Sequence, residues 1–276
     1  MCRWLGYHGV PIHLEELLLR PKHSLIDQSL HSERGAETTN GDGFGVGWYG
    51  DRLVPARFRS LFPAWNNRNL RDIAEHVSSP LFLAHVRAAT SGPIQETNCH
   101  PFRYRNWLFV HNGLIRDHHA VRRELLLAVD PGYFADIEGT TDSELMFFLA
   151  LTFGLEDDPF HALERMAGLV EEVGRKHGIE YPLQMSLGLA DSERLYAVRY
   201  SSEGASRTLY HSAEVAGLKK LHPDRPRLQR LPDGVVAVVS EPIVDLPDAW
   251  VEVPEATALT ADAGEVELRP FTPSAN

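Results

Sequence analysis

The sequence predicts one α+β domain in which helices and strands interleave, and three observations carry that reading. Apolar residues occur in two arrangements: long stretches at helical spacing, such as "DPFHALERMAGLVEEVGRKHG", and short runs that end abruptly in polar residues, such as "PLFLAHVRAAT" and "NWLFVHNG". No repeat, low-complexity block or linker divides the chain. Its 276 residues, 43% hydrophobic and 24% charged, suffice for a full core.

Taken in order, "IHLEELLLRP" predicts a short helix stopped by Pro21, and "TNGDGFGVGWYG" a glycine-rich turn feeding a strand. "NRNLRDIAEHVSS" has helical spacing. "PLFLAHVRAAT" and "NWLFVHNG" read as buried strands. "HHAVRRELLLAV" predicts a helix closed by the "DPG" turn. "TTDSELMFFLALTF" opens with Thr141-x-x-Glu144, a capping box, and is apolar enough for a buried helix. The next helix ends at Gly178, a suitable C-cap. From "YPLQMSLGLADSERLYAVRYS" onward the pattern turns to strands and hairpins, through "TLYHSA" and "GVVAVVSEPI" to "WVEVP". The domain is expected over residues 2–258, with a C-terminal tail over 259–276.

Composition excludes several classes. A formal net charge of -11 argues against nucleic acid or an anionic membrane surface as partner. Two cysteines suggest no disulfide framework and no metal site; HExxH is absent, and most of the 14 histidines read as surface or loop residues. With no signal segment and no apolar run near 18 residues, the expected location is the cytoplasm.

Four polar stretches and the N-terminus could carry chemistry. Cys2 would bear both a thiol and a free α-amine after removal of the initiator methionine, a nucleophile and a base on one residue; otherwise it is a small buried hydrophobe. In "NGDGFGVGWYG", Gly45, Gly47 and Gly50 match GxGxxG, but no helix follows, so the glycines serve a turn or a close backbone approach. Arg87 ends an apolar run and needs either an internal ion pair or a ligand carboxylate. Asn112 and Gly113 offer adjacent donors for an oxyanion, although Asn-Gly is also a common tight-turn dipeptide, and by itself the pair reads as a turn. Asp142 caps a helix or receives a ligand ammonium. Together these groups suit a ligand with α-amino and α-carboxylate groups.

"MC", "NGDGFGVGWY", "AHVRAATSG", "NCHPF", "FVHNG" and "TTDSE", in this order, resemble the class II glutamine amidotransferases, which are N-terminal nucleophile (Ntn) hydrolases. The motifs span residues 1–155, and "VVSEPI" with "WVEVP" extends the likeness to about residue 255. The resemblance implies an αββα four-layer sandwich of two antiparallel sheets. It implies attack by Cys2 on a γ-glutamyl amide, with the α-amine of Cys2 shuttling the proton. Asn112 and the Gly113 N–H would hold the oxyanion, Arg87 the α-carboxylate and Asp142 the α-ammonium. Thr90 and His100 lie in matching motifs and would help position the substrate, while Cys99 would be structural. No metal or cofactor is implied.

One departure matters. Synthase-linked relatives read "RWATHG" where this chain has "RAATSG", with Ala88 and Ser91. That puts ammonia channelling in doubt, and the chain is too short to hold a synthase domain. It looks more like the small stand-alone branch, which includes the γ-glutamyl hydrolase of the ergothioneine pathway and the yeast glutathione-degrading subunit. A glutaminase subunit serving a separate synthase, a non-catalytic glutamyl-binding subunit and a γ-glutamyltransferase remain alternatives. So does assembly with a partner subunit or as a homo-oligomer.

Overall fold

A strand covered on both faces has no polar side to alternate with, and β1 (Arg3–His13) is such a strand: residues 3–7 are all buried. The structure is a computed structural model that describes residues 2–32, 39–89 and 92–274. Among these residues, β1, β2 (Phe44–Trp48), β3 (Ala56–Ser60) and β4 (Ser78–Val86) join the later β9 (Tyr210–Ser212), β10 (Val236–Val239) and β11 (Trp250–Glu252) in a seven-stranded sheet. Its spatial order is β11-β9-β10-β1-β4-β2-β3. A six-stranded sheet is built from β5 (Phe102–Tyr104), β6 (Trp107–Ile115), β7 (Leu183–Ala190), β8 (Leu195–Ser201), β12 (Thr257–Asp262) and β13 (Glu265–Pro270), in the order β13-β12-β8-β7-β6-β5. Every pairing is antiparallel.

The sheets pack face to face through Trp4, Leu83, Leu108, Val110, Leu195 and Val238. Outside the first sheet lie α1 (Glu15–Leu18), α2 (Leu25–Leu30) and α3 (Arg68–His76), whose Leu18, Leu25 and Leu70 meet Leu5, Phe44 and Phe82. Outside the second lie α4 (His118–Leu127), α5 (Asp142–Thr152) and α6 (Pro159–Lys176). The result is the four-layer αββα sandwich. Residues 143–151 of α5 are all buried, because a helix apolar on every side fits only between other layers. Among the described residues, no helix is long and apolar enough to cross a membrane.

Four expectations change. Ile12 and His13 end β1 rather than opening a helix, and α1 is a single turn. Asn112 and Gly113 form no turn. They pair within β6 opposite Ser186 and Met185, where a Cβ on Gly113 would lie 2.0 Å from the Gln184 carbonyl oxygen. Residues 257–270 are a hairpin, not the start of a tail: Leu259, Ala261 and Phe271 are buried. The charged stretch "EVELRP" forms the outer edge strand, which needs backbone pairing but little apolar burial. Finally, the Thr141 hydroxyl accepts from Glu144 N (3.2 Å), but the Glu144 carboxylate turns to the N–H groups of Glu138 and Gly139 (3.0 and 2.6 Å), so only half of the capping box forms.

Candidate active site

Glycines in and just before β2 explain how the site is framed. A Cβ on Gly43, whose φ is +109°, would lie 2.6 Å from Cys99 Sγ, and one on Gly45 would lie 2.2 Å from the His100 carbonyl oxygen. These positions therefore admit the close approach of the 99–101 segment. Cys99 is fully buried, its thiol near the Ser60 and Gln95 carbonyls, and burial pushes it up to about 11. Fully enclosed, Cys99 is cut off from solvent, whereas Cys2 is only half-buried.

Cys2 stands just before β1, half-buried, with its Sγ 3.5 Å from the Ala88 carbonyl oxygen. Its own carbonyl accepts from Arg3 Nη1 (2.9 Å). Arg3 is buried, ion-paired to Glu241 and bonded to Ser32 Oγ (2.7 Å), so the backbone behind the thiol is fixed. Burial pushes the Cys2 thiol up; the Ala88 backbone and the Arg87 charge pull it back, and Asp142 adds to the rise. Arg87 and Asp142 thus each lie within electrostatic reach of Cys2.

Arg87 continues the β4–β2 pairing by one residue, donating to the Gly43 carbonyl (2.8 Å) and accepting from Asp42 N (3.0 Å). Its side chain is 3% exposed, yet its protein contact is a long bond from Nη1 to the Asp42 carbonyl (3.5 Å), and among the described residues no carboxylate pairs with it. Asp142 is its counterpart. The carboxylate accepts from Ile115 N (2.8 Å) and Ser143 N (2.8 Å) and faces no cationic partner among the described residues. A buried guanidinium and a carboxylate, each without an ion pair, suit a zwitterion.

Three bonds hold these groups over β6. Trp4 Nε1, two residues beyond Cys2, donates across the sandwich to the Ser186 carbonyl (3.1 Å), and Ser186 is the register partner of Asn112. The His85 ring, two residues before Arg87, bonds through Nε2 to the His111 carbonyl (3.2 Å). The His111 ring bonds through Nδ1 to Ser143 Oγ (2.8 Å), tying the start of α5 to β6. Asn112 is 4% exposed, and its side-chain amide has no protein partner among the described residues. It is therefore available to a ligand.

Most histidines are exposed or half-buried, as expected; His85, His100 and His111 are the buried exceptions. His100 stacks on His85 (4.1 Å) and meets Phe102 (4.5 Å), and among the described residues neither of its ring nitrogens has a partner. Burial lowers all three, His85 to about 3, so they are neutral at ordinary pH. Thr90 lies outside the described residues. Among those described, no cluster of His, Cys, Asp or Glu could hold a metal ion.

The sequence reading missed Asp42, Ser143 and His111. The Asp42 carboxylate accepts from Ala89 N (2.8 Å) and shapes the segment beyond Arg87. Ser143 and His111 flank predicted site residues, which is the one signal that could have found them.

Comparison with known proteins identifies the family. The family described as "Glutamine amidotransferases class-II" matches residues 21–271. The chain is 33% identical over 301 residues to the probable glutamine amidotransferase DUG3 of Saccharomyces cerevisiae, covering 98% of this chain and 84% of that one. It is 29% identical to the γ-glutamyl-hercynylcysteine sulfoxide hydrolase of Mycolicibacterium smegmatis, covering 98% and 100% of the two chains. Among solved structures, the glutamine aminotransferase class-II domain protein SPO2029 from Silicibacter pomeroyi superposes with a TM-score of 0.73 at 33% identity, over 99% of this chain and 100% of that one. Bacillus subtilis glutamine phosphoribosylpyrophosphate amidotransferase shares the fold at 13% identity (TM-score 0.64), this chain matching 50% of its length.

Proposed function

Since the chain belongs to the class II glutamine amidotransferases, we propose that it hydrolyses γ-glutamyl amides through a glutamyl-thioester on Cys2. The initiator methionine is removed, and the free α-amine of Cys2 takes the thiol proton as the sulfur attacks the γ-amide carbonyl. Such an amine titrates near 8, close to working pH. The side-chain amide of Asn112 and the N–H of Gly113 stabilise the oxyanion. Collapse breaks the C–N bond, and the leaving amine takes the proton held by the Cys2 ammonium. A water then gives a proton to the same amine, attacks the thioester and releases glutamate with the thiol restored. Arg87 binds the substrate α-carboxylate and Asp142 its α-ammonium, while Thr90 and His100 act by positioning. The observation that carries this assignment is the pair of unpaired charges, Arg87 and Asp142, around one half-buried thiol.

The leaving group is an amine larger than ammonia, and the setting is the cytoplasm, where the Cys2 thiol stays reduced. Two observations support the larger amine: a relative matched over its full length is named a γ-glutamyl-hercynylcysteine sulfoxide hydrolase, and Ala88 stands where synthase-linked enzymes carry tryptophan. Contacts to the amine side give a stand-alone enzyme binding energy that can raise kcat. Glutamate release is to be compared for glutamine, glutathione, γ-glutamyl-hercynylcysteine derivatives and γ-glutamyl anilides. The expected kcat/KM for at least one larger amide is about tenfold or more above that for glutamine, roughly 1.4 kcal/mol in transition-state binding. Glutamine as the best substrate would favour a glutaminase. Activity only after addition of cell extract would point to a partner subunit.

A further inference from the structure

Away from Cys2, positive charge concentrates where the free edges of the two sheets meet. β3 ends the seven-stranded sheet and β5 the six-stranded one. Arg57 and Arg59 flank Phe58 on β3; Phe58 packs into the outer core, so by alternation the arginines point to the opposite face, toward the segment that leads into β5. Arg103 comes from β5, and Arg105 from the turn after it. On a chain with a formal charge of -11, four converging arginines are not a generally basic surface.

Backbone carbonyls hold these guanidinium groups in place. Arg57 Nη1 donates to Pro101 O (3.4 Å), Arg59 Nη1 to Cys99 O (3.4 Å) and Arg103 Nη1 to Pro55 O (3.1 Å). Carboxylates are fewer. Glu138 is shared, 3.2 Å from Arg59 and 3.7 Å from Arg57, and Glu156 pairs with Arg105. Arg103 has no ion pair among the described residues. Burial, followed by the charges of Arg59 and Arg103, pushes Arg57 down to about 10; it stays charged, in a crowd of like charge that Glu138 does not fully offset. Between these groups lies a cavity of about 420 Å³, lined by Arg57, Arg103, Tyr104, Arg105, Asp136 and Glu138. Small-molecule sites span about 300–1,000 Å³.

We propose that this cavity binds a small dianion with two or more charged oxygens, a phosphoryl group or a dicarboxylate, on the free N–H arms of Arg57 and Arg103. Forked guanidinium groups match such oxygens two at a time. The dianion displaces Glu138, whose carboxylate is 51% exposed and returns to solvent at little cost. Arg105 lies over the Tyr104 ring at 5.2 Å, which keeps it flat at the rim. Asp136 and Glu138 weaken the field, so a single negative charge gains little and a double one is required.

The test is calorimetric titration of the full chain with inorganic phosphate and, separately, with succinate, at constant ionic strength set by sodium chloride. At least one probe should bind saturably, and the better one identifies the phosphoryl or the dicarboxylate class. Arg103→Gln, at an exposed position, should weaken that binding about tenfold or more. Glu138→Gln removes the resident competitor and should tighten it severalfold. Arg123→Gln, on the exposed side of α4, should leave it unchanged. No saturable binding of either probe would overturn the proposal. So would binding that persists undiminished in Arg103→Gln, since it would then belong to Arg87.

Discussion

Serine at position 2 keeps the size of the side chain but not its ionisation, and a hydroxyl near neutral pH is far weaker as a nucleophile. Cys2→Ser is therefore expected to lower kcat by roughly 10³-fold or more, while Cys99→Ser keeps most activity, because its thiol faces Ser60 and Gln95 carbonyls away from the substrate. Initial rates on one γ-glutamyl amide settle both, and intact mass should show loss of Met1 from the active protein. Asn112→Ala should lower kcat by roughly 10²–10³ with KM almost unchanged, since an oxyanion donor acts in the transition state. Arg87→Lys keeps the charge and loses the planar fork, so KM should rise with a smaller change in kcat. A KM effect confined to Asn112 and a kcat effect confined to Arg87 would exchange their roles.

Gly113 shows how an element constrains a residue. An alanine there would press its Cβ against the Gln184 carbonyl, within the β6–β7 pairing. Gly113→Ala should cost about 1–3 kcal/mol in urea unfolding, in addition to any loss of activity. Elements with a clear period were legible in the sequence. Helix α6 shows its apolar stripe and stops at Gly178 (φ +78°), and α5 reads as buried because no polar face interrupts "LMFFLAL". Others were not legible, for physical reasons. β1 is covered on both faces and carries no alternation, and the β12–β13 hairpin spends its polar residues on an outer edge. Asn112-Gly113 has the composition of a turn, but the partner strand decides its conformation. Within the candidate site, motif order indicated Cys2, Arg87, Asn112 and Asp142. The supports His85, His111 and Ser143 stayed hidden, because a histidine's burial depends on which sheet faces it.

At the scale of the whole molecule, those histidines set the response to acid. Burial holds His85 and His100 neutral in the fold well below their ordinary value of 6.5, His85 down to about 3, and lowers His111 as well. The unfolded chain binds protons at these residues first as pH falls, so stability declines on acidification below about 6.5. A histidine held neutral throughout that window contributes up to about 1.4 kcal/mol per pH unit. Urea unfolding at pH 7.5 and 5.5 should show this fall. Equal stability at both values would mean that the histidines protonate within the fold.

The central place of β1 also orders events in time. Its neighbour β4 is made early, but β10, the side-chain partners of Trp4 at Ser186 and Ser240, and the Glu241 that holds Arg3 all lie beyond residue 185. At synthesis rates of about 5–20 residues per second, the first residues wait roughly ten seconds or more for those partners. During that interval the amino terminus is still open to the aminopeptidase that would expose Cys2. Under the proposed mechanism, removal of Met1 is therefore expected on the nascent chain, before β1 is enclosed at the centre of its sheet.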